Sequence, residues 1–164
     1  MRKIIMIPAL LCGMSVIAGA QTKMTGKLTC SKPSVREVAG PGSQMITFTR
    51  ANCTWPTPII VDGSKPDRTV NAVIGDLSGS TAKNHGYSTL VMDNGDTTFV
   101  RYEGTVQLKK DGSSTYKGTW RYARGTGKFR GITGSGTFKG AGMADGTSSS
   151  DVSGHYSLGK VRAK

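Results

Sequence analysis

The chain has little acid, little sulfur and few histidines. Ten Asp and Glu face 22 Lys and Arg, and only two of the acids are glutamates, Glu37 and Glu103. Two histidines, His85 and His155, stand apart from Cys and carboxylates, with none of the spacings that hold zinc. No Gly-x-Ser-x-Gly elbow is present, so neither a metal hydrolase nor a Ser-His-Asp enzyme is indicated. Helical periodicity is scarce after residue 20, and no later apolar run reaches the ~20 residues of a membrane span. These gaps point to no catalytic residues, no metal and no cofactor, and an enzyme is not favoured.

The one long apolar run lies at the start. Arg2 and Lys3 precede Ile4 to Ile17, and Ala18-Gly19-Ala20 is an A-x-A cleavage site. Residues 1–20 therefore read as a signal peptide, and the mature protein is expected to be secreted or periplasmic, starting at Gln21. Cys12 does not suggest a lipoprotein, because Leu11 stands where a small residue is wanted. Cys30 and Cys53 remain, and in an oxidising compartment a disulfide is expected between them, with two free thiols as the alternative. The sequon Asn52-Cys53-Thr54 is read as chance.

What the chain does have is glycine, 23 residues of it, and a strong alternation of apolar and polar side chains. Turn residues recur every eight to twelve positions. That pattern specifies a single all-β domain, a sandwich or a barrel, over residues 21–159. The clearest hairpin joins Tyr87–Met92 to Thr97–Lys109 through Asn94-Gly95. In its second arm Val100, Tyr102, Gly104, Val106 and Leu108 share the inner face, which puts Glu103 outside beside Arg101. The alternative, an apolar face packed outward in an oligomer, makes Glu103 a lumen general base. Further back, Gly26–Cys30, Gln44–Arg50, Ile59–Val61 and Thr69–Ile74 read as strands. Residues 31–43 read as loop, Trp55-Pro56-Thr57-Pro58 as a break, and Ala141–Ser150 as a flexible loop.

The densest glycine cluster is Gly118 to Gly140. Gly125-Thr126-Gly127-Lys128-Phe129-Arg130-Gly131 is repeated nine residues on as Gly134-Ser135-Gly136-Thr137-Phe138-Lys139-Gly140. Its spacing misses both the dinucleotide loop and the P-loop, so it reads as tightly turned strand. Phe129 and Phe138 are an odd number apart, so both point inward only if a residue bulges, for which Gly131 is the expected place.

Two side-chain groups are candidate sites. Tyr102, Tyr116, Trp120, Tyr122 and Tyr156 are expected inward, alternating with glycine. They either fill a core or present polar tips to a small, mostly apolar ligand. The charge is the second. Residues 97–164 carry twelve Lys and Arg against four acids, whereas residues 21–96 carry eight against six. Lys117, Arg121, Arg124, Lys128 and Arg130 are expected on one outer hairpin, either as a solvated face or as a surface for an anionic polymer of the cell envelope. No nucleic-acid motif accompanies them. Lys160 to Lys164 reads as a basic disordered tail.

Arg124-Gly125-Thr126-Gly127-Lys128-Phe129-Arg130 resembles the Gly-Thr-Gly-Lys-Phe signature of plant dirigent proteins. It is also similar to the Gly-Ser-Gly-x-Phe turn of allene oxide cyclases. Asn94-Gly95-Asp96, Tyr102-Glu103-Gly104 and Gly118-Thr119-Trp120 extend the likeness, which spans residues 85–158. It implies a closed antiparallel barrel of eight strands with an apolar lumen, of a kind that often forms trimers and positions a reactive small molecule. The catalytic residues of those enzymes have no counterpart in residues 21–60, so none is carried over. Three functions follow as expectations: a ligand-binding barrel without catalysis, a cyclase- or isomerase-like barrel, and a polyanion-binding envelope protein.

Overall fold

The structure is a computed structural model, and it describes residues 21–159. The expected signal peptide and the expected basic tail lie outside those residues. Nine antiparallel strands follow one another: β1 (Thr22–Cys30), β2 (Ser34–Ala39), β3 (Met45–Thr57), β4 (Pro66–Ser78), β5 (Thr81–Met92), β6 (Thr97–Leu108), β7 (Ser114–Gly125), β8 (Thr133–Gly142) and β9 (Ser148–Ser157). Neighbours in sequence pair from β3 through β9, β9 pairs with β1, and β1 pairs with β3. Eight strands thus close a barrel, as the glycine-rich alternation and the resemblance both lead one to expect. β2 is a ninth strand, laid along the free flank of β3.

The seam at β1 and β3 is brief. Its register holds Lys27 opposite Thr57, Thr29 opposite Thr54 and Cys30 opposite Cys53, with a shift between Lys27 and Thr29. That shift explains how Pro56 sits inside a strand where a break is expected. The β4 ladder on β3 ends at Cys53 opposite Thr69, so Pro56 has only the bulged seam beside it. A residue without an N–H is tolerated there. The Cys30–Cys53 disulfide forms across the last pair of the seam.

Four expectations need correction. Residues 31–43 are not simply loop: Ser34–Ala39 forms β2, and all six of its residues are exposed. Neither of its faces is consistently apolar, so the sequence carries no inside to detect. Ile59–Val61 is not a strand but the start of a connection folded across one end of the barrel. The loop expected at Ala141–Ser150 shrinks to a turn, because β8 runs to Gly142 and β9 begins at Ser148. Gly131 is not a strand bulge. Gly127–Phe129 forms one 3-10 turn, and Gly127 and Gly131 have φ of 48° and 79°. Phe129 still points inward, as expected, but from a turn.

That turn belongs to a plug. Phe129 and Val61 are fully buried (0% exposed), packed with Ile59, Met92, Ile132 and Tyr156 at the base. The Asn94-Gly95-Asp96 turn clasps it. Lys128 N–H donates to Asp96 Oδ2 (3.1 Å), and Thr97 N–H donates to Thr126 Oγ1 (2.8 Å). A side chain at Gly127 would run into the Asp96 carboxylate, so this position is glycine for space as well as for its φ. The 58–65 connection is latched in turn. Asp62 N–H donates to Tyr156 OH (2.9 Å), and Lys128 Nζ donates to the Asp62 carbonyl (2.7 Å).

The closing bond gives a direct measure of how much the seam matters. With its cysteines 23 positions apart, the disulfide is expected to contribute about 3 kcal/mol. Replacing both cysteines by serine should therefore lower the thermal midpoint by roughly 10 °C. A loss under about 1 kcal/mol in urea unfolding would show that the seam holds without it.

Candidate functional site

Above the plug the barrel holds a partly open cavity of about 200 Å³. Met24, Trp55, Val100, Tyr102, Trp120 and Phe138 are among the residues of its wall, with Asn71, Asn84 and Ser88 supplying polar groups. Thr105 and Lys117 border it through their backbone, since strand alternation turns both side chains outward. No charged side chain of the eight barrel strands faces the lumen among the described residues.

The lumen stays open although large rings project into it, because glycines let the rings lie against the wall. A methyl built at Gly136 would come within 2.7 Å of Trp120 Cζ2, and one at Gly154 would overlap the same atom. Trp120 therefore lies across β8 and β9. Tyr116 lies over Gly140, while Phe138 lies the other way, over Gly118 and Gly104. Tyr102 leans over Gly86 and meets Phe138 edge-on, with ring centroids 5.9 Å apart. The rings pack, and the axis of the barrel is left free.

Of the five expected lumen residues, Tyr102, Tyr116, Trp120 and Tyr122 border the cavity. Tyr156 points inward but belongs to the plug beneath it. Their polar tips are mostly engaged by the chain itself, which corrects the picture of five tips offered to a ligand. Trp120 Nε1 donates to the Ser153 carbonyl (3.1 Å) and Tyr116 OH to the Ser149 carbonyl (3.0 Å). Tyr122 OH donates to Met24 Sδ (3.6 Å), and Tyr156 OH accepts from Asp62 N–H. Trp55, which the alternation of the sequence did not single out, donates through Nε1 to Thr69 Oγ1 (2.9 Å). Only Tyr102 OH is left without a partner among the five. Asn84 is the further wall residue that sequence reasoning missed. Its place opposite Gly104 in the β5–β6 ladder was the available signal.

The basic residues divide. Lys117 and Arg121 point outward from β7 as expected, and register sets them beside Lys139 and Arg101 respectively. Lys128 and Arg130 do not share that face. The 3-10 turn holds them at the base, beyond the last β7–β8 pair, Arg121 opposite Ser135. Lys128 is moreover paired with Asp62, its Nζ 3.7 Å from Oδ2. Arg124 stacks on Phe99, the guanidinium carbon 4.3 Å from the ring centroid. The expected five-cation hairpin is therefore two separate groups. Glu103 lies outside, opposite His85, which removes it from the lumen. The ion pair with Arg101 that its position suggests is not formed. His155 is also on the outer side, opposite Ser135 and Lys23.

Neither protein-family models nor curated proteins give a match to this chain. No helix of the described residues is long and apolar enough to cross a membrane.

Burial pushes the phenols of Tyr102 and Tyr122 well above their usual value of 10.0, with Tyr116 and Tyr156 respectively adding to the shift. The folded state thus favours the neutral phenols. Their contribution to stability is complete below about pH 10 and falls as the pH rises past that value. An alkaline titration followed at 295 nm should show Tyr102 and Tyr122 silent in the native protein and ionising only as it unfolds. Five phenols titrating together at the usual value, with the native circular dichroism retained, would contradict the burial.

Proposed function

We propose that this protein is an exported β-barrel that binds a small, mostly apolar ligand in its lumen and does not transform it. The observation that carries this reading is the cavity itself, an apolar space kept open by rings laid on glycine above a sealed base. Closed barrels of this strand number hold one small ligand at most. The export reading draws on the signal-peptide pattern of residues 1–20, and the Cys30–Cys53 bond supports an oxidising compartment. The closed eight-strand sheet also supports the proposed kinship with allene oxide cyclases and dirigent proteins.

A cyclase- or isomerase-like reaction is the less favoured reading of the same cavity. Acid–base chemistry works best with a group titrating near the operating pH. The ionisable groups of the cavity wall with displaced values are phenols, moved away from that range.

A ligand retained from the native source is the direct test. Native mass spectrometry of protein purified from its own host should show a non-covalent adduct of about one ring in size. The variant Val152→Phe, which adds bulk to the cavity wall, should lose the adduct while keeping its β-type circular dichroism. A wild-type protein that never retains or binds any apolar compound would refute the reading.

A second reading, polyanion binding, is favoured by one observation on the outer face. Arg101 stands opposite Arg121, and Lys117 opposite Lys139. Like charges directly opposed in a sheet are unfavourable unless an anion lies between them. Changing these four residues to Gln should lower the salt needed for elution from heparin more than changing Arg124, Lys128 and Arg130. Screening lengths falling from about 10 Å at 0.1 M to about 3 Å at 1 M set the range of the gradient. Equal elution of the two variants would leave only general charge.

A further inference from the structure

Among the described residues, three buried side-chain polar atoms have no hydrogen-bond partner: Asn84 Oδ1, Thr98 Oγ1 and Tyr102 OH. Thr98 lies away from the cavity, but Asn84 and Tyr102 both line it. Several other polar groups of that wall are matched. Ser88 Oγ donates to Asn71 Oδ1 (2.6 Å), and Asn71 Nδ2 donates to Cys30 Sγ (3.6 Å). Tyr116 and Trp120 are bonded to β9. Buried polar atoms in folded proteins almost always find partners, so two orphans on one cavity call for an occupant.

The two are neighbours. Register places Gly86 opposite Tyr102 and Asn84 opposite Gly104, so Asn84 and Tyr102 are diagonal across the β5–β6 ladder. Such positions are about 7–8 Å apart at the backbone, within reach of one polar group held between long side chains. A glycine next to each makes the arrangement possible. A methyl at Gly86 would come within 3.0 Å of Tyr102 OH, and one at Gly75 within 2.9 Å of Asn84 Oδ1.

We propose that the lumen binds an uncharged hydroxyl compound of single-ring size, whose hydroxyl is held between Tyr102 and Asn84. This rests on the lumen-binding reading above. A hydroxyl both donates and accepts, as does a phenol, while an amide offers a carbonyl or an NH₂. One ligand hydroxyl therefore donates to the amide oxygen and accepts from the phenol. Charged ligands are disfavoured because no ionised side chain of the barrel strands faces the lumen to offset their desolvation. Size follows from volume. An apolar cavity of about 150 Å³ holds benzene, and drug-sized pockets start at about 300 Å³. At about 200 Å³ this cavity takes one ring with a small substituent.

Three probes test the idea, the nearly isosteric phenol and toluene and the charged benzoate, titrated into the purified protein by calorimetry. Phenol should bind at least about tenfold tighter than toluene, the effect of two ordinary hydrogen bonds, and benzoate should not bind detectably. Tyr102→Phe and Asn84→Leu should each cut the phenol preference to below about threefold while toluene still binds. Tyr102→Phe without ligand should melt no lower than wild type, since it removes an atom that has no partner. Equal affinities for phenol and toluene would overturn the hydroxyl assignment and leave lumen binding intact. No binding by any probe would overturn both. A phenol preference that survives Tyr102→Phe, the conservative variant, would show that these two residues do not hold the hydroxyl.

Discussion

Every other feature of this molecule depends on the closure of the sheet between β1 and β3. An inward side chain is enclosed only while the barrel has no open edge. Yet this is the barrel's shortest ladder, three register pairs with a bulge, against nine for β1 with β9. β3 is shared. Its second half pairs with β1, and its first half pairs with β2 along the same flank. The disulfide lies at the hand-over, on Cys30 and Cys53, where β1 ends and the β3–β4 ladder runs out. A covalent bond thus holds the point at which hydrogen bonding is thinnest. Its sulfur also faces inward, where Asn71 donates to Cys30, so closure and cavity meet at one atom.

Given closure, the question is why the lumen is not filled. Small barrels usually fill their interior with alternating large and small residues. Here the alternation is present, but its effect is angular. Trp120 and Tyr116 tilt toward β9, whereas Phe138 and Tyr102 tilt toward β5 and β6, and each rests on glycine. The rings gain contact with the wall and with one another, and the axis keeps its volume. Bonds from Trp120 and Tyr116 to β9 carbonyls then fix the tilt. Replacing a glycine under such a ring would push it toward the axis, so the glycines set the size of the cavity as much as the aromatics do.

This logic was only partly legible in the sequence. Period-two alternation in Val100–Leu108 and Tyr116–Tyr122 disclosed strands and their inner faces, and Asn94-Gly95 disclosed their hairpin, because those signals are local. The count of unpartnered tips was not legible, since the partners of Tyr116, Trp120 and Tyr156 come from residues 33 to 94 positions away. Asn84 was hidden for a related reason. In Ala82-Lys83-Asn84-His85-Gly86 nothing local marks an amide as facing inward, and only the register opposite Gly104 does so. Lys128 and Arg130 were misplaced because the repeat Gly-[Ser/Thr]-Gly-x-Phe takes two conformations. At Gly125–Phe129 it leads into a turn, and at Gly134–Phe138 it is strand. The difference is that Gly127 answers to Asp96 across the base, a contact that no spacing within the repeat encodes.

The two ends of the barrel consequently differ in what holds them. At the base, bonds join residues far apart in the chain: Asp62 to Tyr156, Lys128 to Asp62, Lys128 to Asp96. At the opposite end the turns are held largely from within. Asp111 accepts from Ser113 and Asp145 from Thr147, each two residues on, bonds that also keep both carboxyls below their usual range. Gln107 and the Leu108 N–H, both reaching Ser80, cross between hairpins there. Asn84 stands three residues into β5 from that looser end, so the two unmet polar atoms of the cavity wall lie above the plug. A sequence meets its local rules nearly everywhere and breaks them where something other than stability is being served. Here the break that faces the cavity falls on Asn84 and Tyr102, two side chains whose partners the fold itself does not supply.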